Sequence, residues 1–135
     1  MKKIAISLSV ILYAVIVPYL EINDTHVFSP DWTPHARIHE VWQLITNSTI
    51  GLFCLFLVWG KNETKLSAFL SILVMGGFLI AFLLQDTYGG DMRYEDGTEK
   101  TVLGINIGVF GFGMATSLIL ISFLAEVKKM LKSLK

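Results

Sequence analysis

The chain has 135 residues, of which 53% are hydrophobic and only 16% charged, and its formal net charge is zero. A soluble domain of this size carries about a quarter charged residues, so the balance excludes a disordered tail. With no net field to recruit a polyanion it also excludes a nucleic-acid binder, and its single cysteine, Cys54, excludes a disulfide-stapled module.

Four apolar stretches, residues 4–20, 39–59, 66–84 and 102–124, approach the roughly 20 residues that cross a hydrocarbon core. Lipid offers no partners to backbone amides, and the runs are too long and too uniformly apolar for barrel strands, so they read as helices. The expected fold is an all-α integral membrane four-helix bundle, up-down-up-down, forming a single domain over residues 1–135. Lys2 and Lys3 precede the first stretch, but Pro18, Tyr19, Leu20 and Glu21 follow it without a small-residue cleavage site, which favours a retained span over a signal peptide. Lys2, Lys3, Lys61, Lys65, Lys128, Lys129, Lys132 and Lys135 share one side of this layout, against Arg37, Arg93 and Lys100 on the other. By the positive-inside rule both termini are cytoplasmic, as in a bacterial inner membrane or its equivalent. Glu21, Asp24, Asp31, Glu40, Asp86, Asp91, Glu95, Asp96 and Glu99 then form an acidic external cap.

The first external connection, residues 21–38, ends in Thr33-Pro34, a hydroxyl cap followed by a proline where a missing donor costs nothing, so the second helix starts near Pro34. Residues four apart share a helical face, and from His35 the steps of four give His39, Gln43 and Asn47, all polar. Polar groups at membrane depth face a bundle interior or a wet cavity, which predicts a groove entering from outside. Tyr13 on the first helix, Gln85 and Asp86 at the outer end of the third and Asn106 on the fourth lie at matching depth, whereas the inner half is apolar. Interhelical hydrogen bonding by Gln43, Asn47 and Asn106 is the plainer alternative. Histidines at i and i+4 present two imidazoles to one metal, His26 is placed to add a third and Asp86 an oxygen donor, which suits zinc or iron. His35, His39 and Glu40 are the candidates for acid–base or metal-assisted catalysis. Arg37 points away from His35 and should meet headgroups or loop carboxylates.

Further along, Asp96-Gly97 between residues 92–94 and 98–100 reads as a tight hairpin turn. Gly104, Gly108, Gly111 and Ala115 make a small-residue stripe on the fourth helix, with Gly76 and Gly77 as partners. That stripe predicts a central fourth helix and offers Gly104, Gly108 and Gly111 as a homo-oligomer contact. Trp32, Trp42, Trp59, Tyr19 and Tyr88 fall near the predicted interfaces, as an aromatic belt does.

Thr25-His26, Pro30-Asp31-Trp32-Thr33-Pro34 and His35-Ala36-Arg37-Ile38-His39 together resemble the signature of an uncharacterised family of small four-span membrane proteins of bacteria and fungi. That resemblance implies topology and no activity. The placement of His and Glu on a second helix is also similar to the emopamil-binding, sterol-isomerase-like membrane domains, which implies a lipid-binding cavity. Three function classes stay open. One is a site for a small apolar or lipidic ligand with or without turnover, which is the favoured reading; the others are a pH-sensing or accessory membrane subunit and a small transporter. Membrane lipids are partners in each.

Overall fold

The computed structural model describes residues 1–94 and 96–133, with residues 126–133 as helical backbone. Glu95 and the side chains of the tail lysines, part of the charge argument above, lie outside the described residues. Four long helices dominate: α1 (Lys2–Glu21), α2 (Pro34–Gly60), α3 (Thr64–Leu83) and, after the short α4 (Gln85–Tyr88), α5 (Ile107–Ser133). All four carry a stretch long and apolar enough to cross a membrane. The only departure from an all-helical chain among the described residues is a ribbon of two-residue strands, β1 (Thr101–Val102) and β2 (Ile105–Asn106), paired antiparallel.

That ribbon corrects two expectations. The strands lie beyond the Asp96-Gly97 turn, and their own turn is Leu103-Gly104, with φ of 54° and 78°, the left-handed pair that suits a two-residue hairpin. The fourth long helix therefore begins at Ile107 and not near residue 102, and Gly104 belongs to a turn. Asn106 is the reason for the start: its Oδ1 accepts the N–H groups of Gly108 (2.9 Å) and Val109 (3.2 Å), capping the first turn.

Packing also differs from the glycine-stripe expectation. α1 and α3 each rest against the other three long helices, whereas α5 packs chiefly on α1 and α3, so the fourth long helix is not the central one. Gly108 and Gly111 are used inside the chain, beneath Phe78 of α3 and Leu12 of α1, while Gly76 and Gly77 have open space around them. The tightest crossing is at Gly51 of α2, where an added Cβ would collide with Ala14 and press on Val10. Pro18 explains the local shape of α1. It has no N–H for the carbonyl of Ala14 and its ring crowds that turn, and just before it residues 12–16 widen into an i→i+5 turn, Val17 N–H bonding to Leu12 O. Ser48 of α2 donates its hydroxyl to the Ala14 carbonyl at 3.0 Å. A second wide turn ends α2 at Phe56–Gly60.

The core is thin. Ile6, Val10, Tyr13, Cys54, Val58, Met75, Phe112 and Ile119 are buried at the centre, whereas Leu8, Ile45, Leu52, Phe69, Leu73 and Leu120 point outward. Serines fill part of the interior: Ser67 Oγ donates to Cys54 O (3.1 Å), and Ser71 Oγ lies 3.3 Å from the Tyr13 hydroxyl. Charges separate by ends. The Lys3 ammonium lies over Trp59, whose indole N–H donates to Ser7 at 3.1 Å, so Lys2, Lys3, Lys61 and Lys65 share the end where α1 starts and α2 stops. The acidic loops cover the other end.

Candidate functional site

The first loop is shaped by its own polar side chains. Asn23 Oδ1 accepts from the backbone N–H and the hydroxyl of Thr25, both at 2.8 Å, an Asx turn that delivers His26. Thr33 Oγ1 accepts the Ala36 N–H at 3.2 Å and Pro34 occupies the first helical position, as the sequence predicts. Arg37 donates through Nη2 to Ser29 O at 2.6 Å. Its partner is thus a loop carbonyl, a correction to the headgroup or carboxylate expected; the guanidinium straps the loop to α2.

The second loop closes over the first. Asn106 Nδ2 donates to Glu99 Oε1 at 2.9 Å, Lys100 lies over the ring of Tyr94, and Tyr94 meets His26 edge-on with centroids 5.9 Å apart. His26 also stands edge-on to Trp32 and holds Glu21 Oε2 at 3.1 Å from Nε2. Burial pushes the His26 imidazole below its ordinary pKa; the carboxylate of Glu40 pulls the other way and Lys100 adds to the fall. Near neutral pH this histidine is therefore the neutral centre of an acidic cluster.

The other two histidines lie apart from it. His35 and His39 pair with each other, Nε2 to Nε2 at 3.0 Å and rings nearly perpendicular, on an exposed face of α2. The structure thus does not bring His26, His35 and His39 into one ligand group, and among the described residues no three His, Cys, Asp or Glu side chains are grouped to hold a metal. The reason is the Asn23 turn and the Glu21 contact, which turn His26 toward α1 and the second loop.

A shallow, open groove of about 840 Å³ lies where the first loop, the start of α2 and α4 meet, lined by Asp31, Trp32, Thr33, Ala36, His39, Glu40, Gln43 and Tyr88. It contains His39, Glu40 and Gln43 of the expected stripe. Asn47 is half-buried one turn deeper, and His35 lies outside the lining. Tyr13 is a core residue bonded to Ser71, and Asn106 is a helix cap. Gln85 opens α4 with its carbonyl accepting from Gly90, and Asp86 is exposed; neither lines the groove. Sequence reasoning offered Asp31 as an oxygen donor near the histidines, and missed Glu21, Tyr94 and Lys100 around His26 and Trp32 and Tyr88 in the lining. An acidic residue directly after Pro18-Tyr19-Leu20, at the edge of an apolar run, was the available signal for Glu21.

No family model, curated protein or solved structure matches the chain.

Proposed function

We propose that this is a multi-pass membrane protein with both termini cytoplasmic, whose outward groove binds the head of a small lipidic or apolar ligand. The groove carries this reading. It is an open surface groove of about 840 Å³, suited to a ligand that stays partly in the surrounding lipid, and its wall mixes the aromatic side chains of Trp32 and Tyr88 with the polar groups of Asp31, His39, Glu40 and Gln43. The outward faces of α2 beside it are apolar, with Ile38, Trp42 and Ile45 exposed, so a ligand seated head-first would lay its tail along a surface suited to lipid. Orientation is supported by the lysine-rich end with its ammonium groups over Trp59, Phe56 and Phe123. In this role His39, Glu40 and Gln43 touch the head, and His39 with Glu40 are the groups available to move a proton on it.

Native mass spectrometry of protein extracted gently from its own membrane tests the reading. The wild type is expected to retain a lipid-sized adduct that Trp32→Ala and Gln43→Leu lose. Absence of any adduct, together with ion flux in liposomes that disappears in Asn47→Leu, would overturn it in favour of transport.

A further inference from the structure

The groove uses His39 alone, and the pairing of His35 with His39 is a geometry it leaves over. Both rings stand on one face of α2, inside its first two turns and past a Thr33 cap and Pro34, so the backbone beneath them is fixed. Both are exposed, and their Nε2 atoms approach to 3.0 Å. Water would satisfy either imidazole separately; the helix instead brings the two nitrogens within hydrogen-bond distance of each other. With metal–nitrogen bonds of about 2.0–2.1 Å, two ligand nitrogens lie about 2.9 Å apart at a right angle and about 3.4 Å apart at the tetrahedral angle. The observed separation falls between those values.

We propose that His35 and His39 form a two-imidazole chelate for a divalent transition metal, with copper, nickel and zinc as the class of ion and copper the tightest. It is a smaller site than a three-histidine set and does not involve His26. In the metal-free pair one Nε2–H donates to the other Nε2. On binding, that imidazole gives up its Nε2 proton and takes one at Nδ1, so both Nε2 lone pairs face the ion and the total proton count of a neutral pair is unchanged. The remaining coordination positions hold water. Because His39 also lines the groove, the ion would stand at the groove's rim. The chelate does not depend on the ligand reading, and the two can fail separately.

The test uses the purified full chain in detergent, free of any polyhistidine tag, titrated with copper(II) or zinc(II) salts alone. One ion per chain is expected, with copper(II) electron paramagnetic resonance showing coupling to two imidazole nitrogens. His35→Ala and His39→Ala should each weaken binding about a hundredfold, the effective-concentration advantage of the second ligand, and leave coupling to one nitrogen. His26→Ala should bind as the wild type does. Binding by either single variant as tight as wild type, or an equal loss in His26→Ala, would overturn the proposal. Both histidines are exposed, and unchanged far-ultraviolet circular dichroism in the variants separates ligand loss from misfolding.

Discussion

At His26 burial and the Glu40 carboxylate pull against each other, and burial is the larger. Burial lowers its pKa, so the unfolded chain takes up a proton at a higher pH than the folded one. The stability linked to this histidine is therefore fully present above the unfolded value, about 6.5, and is lost as pH falls from there toward the lower folded value. Thermal unfolding in detergent should show a midpoint that drops between pH 7.5 and pH 5.5, and His26→Gln should flatten that slope. A midpoint that rises on acidification would mean that the Glu21 contact, 3.1 Å away, outweighs burial. Asn106 makes a second prediction at this scale. Replacing it by Ala removes the cap on α5 and the bond to Glu99, and should cost about 1 kcal/mol or somewhat more. Asn106→Asp keeps the cap acceptor but sets a carboxylate against Glu99, so urea or thermal unfolding should rank it between wild type and Ala.

Helix crossings are decided by which small residue meets a neighbour. Gly51 meets Ala14, Val10 and Tyr13, whereas Gly76 and Gly77 meet nothing. Gly51→Leu should destabilise by about 1–3 kcal/mol through overpacking. Gly76→Ala and Gly77→Ala should be neutral or stabilising, since alanine is the better helix former; differential scanning fluorimetry separates the two cases. This contrast also shows how far the sequence could be read. Apolar length alone located the four helices, and Thr33-Pro34 located the start of α2, because both signals are local. Periodicity correctly set His35, His39, Gln43 and Asn47 along one face but is silent about which neighbour covers that face, so Gln43 and His39 emerged on a groove wall and His35 on open surface. Val102 and Ile105 read as helix because a short apolar run has no period of its own, and only the left-handed Leu103-Gly104 turn makes it a ribbon. His26 stands away from the His35–His39 site expected for it, since a loop residue's direction depends on turns such as that of Asn23, which helical spacing does not report.

Among the described residues most lysines lie at one end and most carboxylates at the other, Lys100 and Glu63 being the exceptions, with an exposed apolar surface between them. The proposed orientation gives a direct labelling result. In a Cys54→Ser background, Asp91→Cys should react with an impermeant maleimide on intact cells, and Lys65→Cys only after permeabilisation. The reverse pattern would invert the topology. Cys54 itself is fully buried and should stay unlabelled in the wild type until the bundle is opened.

The widened turn in α1 has a consequence for how this protein tolerates changes in length. An i→i+5 turn carries one residue more than an α-helical turn over the same rise, so it is a place where a codon can be removed without breaking the helix. Removing one residue within residues 12–16 would close the wide turn to an ordinary α-helical one, so Glu21 would keep its direction toward His26 and everything before Leu12 its place. A deletion in a regular stretch of the same helix would instead rotate all that follows by about 100°. The turn therefore acts as a length buffer between the buried half of α1 and its far end, and a single-residue deletion should be better accepted there than elsewhere in α1.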